Sequence, residues 1–337
     1  MNAPPTSPVL DVSHLQVAFQ TRQGLMSITR DVSFSVMPGE RIGLVGESGC
    51  GKSVTGLSLM RLLPTDVARV SGQVLLQGTD LMLLSERQMR AVRGRDVAMI
   101  FQEPMTALDP VFTVGEQIAE AYRVHYPSLA NEARERALQM LDRVGIPLPQ
   151  QRYHEYPHQL SGGMRQRVMI AMALICEPKL LIADEPTTAL DVTVQSQILR
   201  LLRELSERTG TALLLITHDL GVVAETCTRM VTMYAGEVVE DAPVEDVLLA
   251  PRHPYTSGLL RSLLHFSARG APLAFIPGRV PTPGAMPEGC RFRPRCAHAA
   301  EACHAAQSLQ FIGAFSQHRV RCVRASELEL PGVIVHG

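Results

Sequence analysis

GESGCGKS at positions 46–53 has the residue types and spacing to hold a polyphosphate. It follows a short apolar run, RIGLVG at 41–46, and precedes a helical pattern over 54–63 that Pro64 ends. Gly46, Gly49 and Gly51 let successive backbone N–H groups approach phosphate oxygens without a Cβ clash. The helix N-terminus adds partial positive charge, and Ser48, Cys50 and Val54 complete the cradle. Lys52 can place a compact ammonium between β- and γ-phosphates, and the Ser53 hydroxyl can bind Mg²⁺. The chain has 30 arginines but only two lysines, Lys52 and Lys179. At position 52 a point charge is required, and a planar arginine fork replaces it poorly.

KLLIADEP at 179–186 puts Asp184 and Glu185 at the end of an apolar run. In open α/β sheets, ligands bind beyond the carboxyl ends of the strands. There Asp184 can hold Mg²⁺ through water, and Glu185 can polarise an attacking water as general base. ALLLITHD at 212–219 places His218 just past another apolar run, where it can reach a γ-phosphate. Gln102, after VAMIF at 97–101, can sense Mg²⁺ and the attacking water. Alone, each of these would read as an ordinary surface polar residue; the loop at 46–53 is what makes them a site. A second glycine-rich helix start, LSGGMRQR at 160–167, offers another anion-binding end through Ser161, Gly162 and Gly163. It cannot serve the nucleotide of the first loop, so it is expected to face that of another subunit.

The elements that must position these residues follow from pattern and composition. The 337 residues are 46% hydrophobic and 19% charged, which excludes global disorder and allows one large or two ordinary domains. A net charge of −1 excludes a strongly basic nucleic-acid binder. The longest apolar run, VMIAMALIC at 168–176, is half of the roughly 18–20 residues a membrane helix needs. The N-terminus has neither a basic region nor an apolar stretch, so no export signal is expected and the chain reads as cytosolic. In that compartment seven cysteines argue against a disulfide framework. Alternation predicts strands over 9–20 and 27–36, and apolar runs predict buried strands over 41–46, 97–101, 180–184 and 212–217. Helical periodicity covers 113–124, 131–145, with Gly145 as its stop, and 192–208. Buried strands alternating with helices predict an α/β fold with a doubly wound parallel sheet. The segment 251–337 carries ten arginines and four glutamates, a net of +6, against −7 for 1–250. Within it, IPGRVPTPGAMP at 276–287 can be neither helix nor central strand.

In this order the loop, Gln102, LSGGMRQR, LLIADEP, the Asp191 segment TALD and His218 resemble the motifs of the ATPase subunits of ABC transporters. QEPMTALDPVFTVGEQI at 102–118, HPYTSGLLRSLL at 253–264 and the tail at 277–303 narrow the resemblance to the dipeptide, oligopeptide and nickel importers. The resemblance implies an ABC-type ATPase domain over 1–250, with a RecA-like parallel-sheet core, an antiparallel β subdomain and a helical insertion at about 103–160. A small irregular cysteine-rich extension would cover 251–337. It implies ATP-driven import of small peptides or a related solute, at the cytoplasmic face of the inner membrane as a peripheral subunit. The implied partners are two membrane permeases, docked on the insertion, an extracytoplasmic solute-binding protein and a paralogous or identical ATPase. The two ATPases would pair head to tail, each ATP lying between one Lys52 loop and the other's Ser161–Gly163. Phe19 would stack on adenine, although a core position suits it as well. Met164 stands where the wider family has Gln. The alternative is a soluble ABC ATPase acting on nucleic acid, which only the basic tail supports; no nucleic-acid partner is expected.

Four cysteines cluster as Cys290-x5-Cys296-x6-Cys303-x18-Cys322, a set suited to tetrahedral zinc or an iron–sulfur cluster. Arg291, Arg293, Arg295, Arg319 and Arg321 flank them and are expected to offset thiolate charge or lower thiol pKa. His298, His304 and His318 are close enough in sequence to substitute as ligands. A Pro-rich tail with little apolar periodicity needs such a staple, though four plain buried cysteines would also fit the spacing. The subfamily resemblance implies 4Fe–4S, with Zn²⁺ as the alternative.

Overall fold

A computed structural model describes residues 7–22, 24–102, 107–188, 190–262, 275–313 and 317–333. The strands are β1 (Leu10–Thr21), β2 (Gly24–Val36), β3 (Arg41–Val45), β4 (Ala68–Leu76), β5 (Thr79–Asp80), β6 (Val97–Ile100), β7 (Leu180–Asp184), β8 (Ala212–Thr217), β9 (Arg229–Tyr234), β10 (Glu237–Pro243), β11 (Gln310–Phe311) and β12 (Arg319–Val320). Contacts divide the chain into two compact units. The first comprises Met1–Leu10, Val36–Glu40 and Leu76–Leu215; the second comprises Asp11–Ser35, Arg41–Leu75 and Ile216–Gly337. The residues beyond 250 therefore share a unit with the glycine-rich loop.

In the first unit β6 and β7 pair in parallel, from Val97 opposite Leu180 to Ile100 opposite Ala183. Every residue of both strands is buried, as their unbroken apolar runs require. β8 continues the order beyond β7. The helices Val114–His125 and Ala133–Arg143 pack on each other and on Gly162–Leu174, so the helical expectations for 113–124 and 131–145 hold, the second beginning two residues later after a 3-10 stretch at Pro127–Glu132. The start of the expected insertion, 103–106, lies outside the described residues. Gly145, at φ 75°, closes the second helix. The helix Val192–Thr209 runs from an Asp191 cap, whose Oδ1 accepts the Val194 N–H at 3.0 Å, to Gly210 at φ 69°.

In the second unit the strand order is β11-β12-β10-β9-β3, with β3 and β9 parallel and the remaining pairs antiparallel. β2, β1 and β4 form a separate sheet. The helix after the glycine-rich loop spans Lys52–Leu59, ending four residues before the expected 63. Its end is a Schellman motif: Leu62 N–H donates to Leu57 O at 2.9 Å and Arg61 N–H to Ser58 O at 3.0 Å. Arg61 takes the left-handed position, φ 50°, that glycine usually fills, so the sequence carried no stop signal there.

A core of Tyr234, Ala235, Val239, Tyr255 and Phe292 unites β9, β10, the helix Pro254–Arg261 and the cysteine-rich segment. His253 caps that helix: its Nδ1 accepts the Tyr255 N–H at 3.1 Å. Complete burial, partly opposed by the Glu240 charge, pulls His253 down to about 4. An unfolded histidine titrates near 6.5. The unfolded chain therefore takes up a proton between those values that the native chain declines. Stability from a neutral His253 is fully present above pH 6.5 and is lost as pH falls towards 4. His253→Asn keeps a capping oxygen without the titration. It is expected to flatten the pH dependence of denaturant midpoints between 6.5 and 4, measured by circular dichroism.

Candidate functional site

In the second unit the loop at 46–53 turns through three positive φ values, 151° at Gly46, 78° at Gly49 and 104° at Gly51. At Gly46 a Cβ would drive into the Met233 carbonyl and stand 2.8 Å from Cys50 Sγ. At Gly51 it would press on Thr29 Cγ2 at 3.0 Å, whereas at Gly49 it would meet nothing within 4 Å. Gly46 is thus required by packing, and Gly49 and Gly51 by backbone conformation. Lys52 is 6% exposed and folds back over the loop, donating to Gly46 O at 2.8 Å and Glu47 O at 3.1 Å. Two carbonyls and, at 3.8 Å, the Cys50 sulfur surround the ammonium. Cys50 lies beneath the loop, its thiol pushed up by burial. Ser48 is exposed; Ser53 and Val54 are half-buried on the helix's first turn. Phe19 is half-buried on β1 and packs, with Val54 and Leu57, against Val17, Leu63 and Ala68. His218 is exposed directly after β8, just ahead of Asp219, which caps the helix Leu220–Thr226.

In the first unit Asp184 closes β7 and is 5% exposed. Glu185 follows at φ 45°, a left-handed conformation that costs a residue with a Cβ about 1–2 kcal/mol. Its Oε2 accepts from Thr188 Oγ1 at 2.9 Å and from Gln102 Nε2 at 3.4 Å. The ends of two adjacent parallel strands thus bring Gln102 and Glu185 together. Strain of this kind persists where the surroundings over-determine it, which is common at reacting centres. Sequence reasoning missed Thr188; a hydroxyl three residues after the carboxylate was the available signal. Ser161 caps the helix Gly162–Leu174, its hydroxyl accepting the Met164 N–H at 3.3 Å. Ser161 and Gly162 are exposed, as an anion-binding end facing outward requires. A Cβ on Gly163 would stand 2.9 Å from Val194 Cγ1.

Sequence reading also missed Glu47 and Tyr255, and it assigned Arg295 to the thiols. The Glu47 N–H donates to Tyr255 Oη at 2.9 Å, and Arg295 grips the Glu47 carboxylate at 2.7 and 3.0 Å.

The cysteine cluster departs from expectation. Cys290, Cys296, Cys303 and Cys322 are near enough to influence one another electrostatically, and the Cys290 N–H donates to Cys303 O at 2.9 Å. All seven cysteines are free. Yet among the described residues no group of three or more His, Cys, Asp or Glu side chains is placed to hold a metal ion. The expected iron–sulfur or zinc shell is therefore not formed here. Burial pushes the Cys290 thiol up to about 11 and also raises Cys296 and Cys322. The arginines expected to lower them serve other groups. Arg291 binds Glu237 and the Ala235 carbonyl, Arg293 the Glu288 carbonyl, and Arg295 Glu47. Arg319 pairs with Asp241 and Arg321 with Asp31, while His318 pairs with Glu240.

Comparison with known proteins gives two family matches, ABC transporter over residues 29–188 and oligopeptide/dipeptide transporter, C-terminal region, over 239–303. A putative peptide import ATP-binding protein of Brucella melitensis is 51% identical over 333 residues, covering 95% of this chain and 98% of the relative. A probable peptide ABC transporter ATP-binding protein of Sinorhizobium fredii is 51% identical over 328 residues, 96% of this chain and 97% of its own. Among solved structures, the ATP-binding cassette MJ0796, dimeric with ADP and Pi, superposes with a TM-score of 0.62 at 26% identity. It covers 70% of this chain and 98% of its own. CbiO1 of Clostridium perfringens, part of the ABC transporter complex cbiONQ, reaches 0.60 at 27% identity, covering 71% and 90%.

The two kinds of glycine requirement in the loop separate by mutation. Gly46→Ala is expected to destabilise the chain by about 3 kcal/mol or more and to abolish ATP binding, against about 1–2 kcal/mol for Gly49→Ala. Thermal melting with an ATP titration of each variant checks this.

Proposed function

The chain belongs to the ABC transporter family as the ATP-binding, ATP-hydrolysing subunit of a peptide importer, and from that premise we propose how its residues divide the work. The observation that carries the proposal is the loop geometry, with Lys52 held over three positive-φ glycines. Lys52 and the loop N–H groups hold the ATP phosphates. The oxygen donors Ser53, Gln102 and Asp184 suit Mg²⁺, which when bound neutralises phosphate charge. Glu185, oriented by Thr188 and Gln102, takes the proton of the attacking water, and His218 contacts the γ-phosphate. Phe19 packs on the adenine ring.

The 1–250 segment is the ATPase domain and 251–337 the extension. Ser161, Gly162 and Gly163 bind the nucleotide of a second ATPase subunit, paralogous or identical, in a head-to-tail pair. ATP stabilises the closed pair and its hydrolysis reopens it; the difference in affinity moves the permeases. Two membrane permeases and an extracytoplasmic solute-binding protein complete the importer, and the subunit is peripheral on the cytoplasmic face of the inner membrane. Among the described residues no helix is long and apolar enough to cross a membrane. Action on nucleic acid draws no support: the relatives are named for peptide import, and five of the ten tail arginines it rested on, Arg291, Arg295, Arg319, Arg321 and Arg324, are paired with carboxylates.

For the extension, the proposal is that Cys290, Cys296, Cys303 and Cys322 close on a 4Fe–4S cluster, or on Zn²⁺, when it is supplied. Support comes from four thiols close enough to influence one another electrostatically.

Glu185→Gln in the assembled transporter is expected to lower ATP turnover about 10²- to 10⁴-fold and to stop uptake while ATP still binds. Unchanged turnover would remove Glu185 as the base. For the cysteines, metal analysis with an absorbance spectrum decides. A broad band near about 400 nm indicates iron–sulfur, a colourless stoichiometric metal zinc, and a metal-free folded chain four plain thiols.

A further inference from the structure

Glu47, the first variable residue of the phosphate loop, is held from three directions. Its N–H donates to Tyr255 Oη at 2.9 Å, and its carbonyl accepts from Lys52 Nζ at 3.1 Å. Its carboxylate receives a two-pronged Arg295 guanidinium at 2.7 and 3.0 Å. Neither partner from the extension is loose. The Arg295 side chain is 5% exposed, donates also to Pro277 O at 3.0 Å and Ile276 O at 3.3 Å, and stands 5.7 Å from the Tyr234 ring centre. Tyr255 is fully buried, 4.7 Å from Tyr234 and 5.4 Å from Phe292 between ring centres.

This arrangement answers a problem in the loop's own chemistry. A nest for a polyanion should not carry a bare carboxylate one residue after its first glycine, since like charges that close disfavour the ligand. A bidentate arginine neutralises that charge and fixes its direction. The Tyr255 hydroxyl meanwhile fixes the plane of the 46–47 peptide, and with it the carbonyl that anchors Lys52.

We propose that Arg295 and Tyr255 are positioning residues for the nucleotide: the extension sets the geometry and the charge of the phosphate loop by clamping Glu47. The proposal rests on the loop holding ATP. It gives the cysteine-rich segment a part in nucleotide binding, because the 291–295 turn that carries Arg295 runs between Cys290 and Cys296.

The test is an equilibrium titration of the full-length chain with ATP and Mg²⁺, with thermal melting alongside. Arg295→Ala leaves Glu47 bare and is expected to weaken ATP binding about 5- to 20-fold. Adding Glu47→Gln removes the exposed charge and is expected to recover a large part of that loss, which a merely structural arginine would not allow. Arg295→Lys keeps the charge without the fork and should fall between wild type and Arg295→Ala; it carries the comparison if the alanine variant does not fold. Tyr255→Phe should weaken binding a few-fold. Wild-type affinity in Arg295→Ala, or a loss that Glu47→Gln leaves unchanged, overturns the proposal. A wild-type chain that binds no ATP overturns the nucleotide reading itself, and this inference with it.

Discussion

β3 ends where the backbone has no room for a Cβ: Gly46 lies against the Met233 carbonyl, and this contact lets the loop begin its turn. A chain able to turn there can present several N–H groups to one anion and deliver Lys52 at the start of the following helix. A side chain at 46 would push the loop off β9, and Lys52 would lose the Gly46 carbonyl that seats its ammonium. The positions of Glu47, Cys50 and Thr55 follow from that turn. The Gly51 carbonyl accepts the Thr55 hydroxyl at 2.9 Å, and Cys50 O accepts the Gly236 N–H at 2.9 Å.

A buried ionic seam joins the extension to β10. Glu240 and Asp241 are fully buried on consecutive residues of that strand. Asp241 takes Arg229 from β9 and Arg319 from β12; Glu240 takes His318 and the Arg252 and His253 N–H groups. Buried pairs of this kind add little net stability but penalise every misdocked arrangement, because removing one partner strands a charge. The charge division between 1–250 and the basic tail is therefore in part a docking code: carboxylates on the strand, arginines on what covers it.

Much of this was legible beforehand. β7 and β8 begin and end where their apolar runs do, and Asp191 and Gly210 mark the helix between them. Such signals are local: periodicity, a cap, a glycine. What stayed hidden depends on distance along the chain. Glu47 meets Tyr255 and Arg295 across 208 and 248 residues, and no local pattern distinguishes it from any loop glutamate. Gln102 and Glu185 meet across 83 residues and were read only because strand ends gather in an α/β sheet. The arginines beside the cysteines misled for the same reason. Adjacency in sequence suggested partners, while the fold sent each guanidinium to a distant carboxylate or carbonyl.

β12 and β11 also change what the second unit offers to its surroundings. Without them β10 would present a row of unpaired N–H and C=O groups, a template on which a strand of any other chain could add. β12 takes the middle of that edge, with Glu240 opposite Val320 and Asp241 opposite Arg319, and pairs in turn with β11. The outermost strand is then only Gln310–Phe311, too short to register a stranger. By pairing the middle of β10 and ending the sheet on two residues, the extension shortens the edge on which another chain could add.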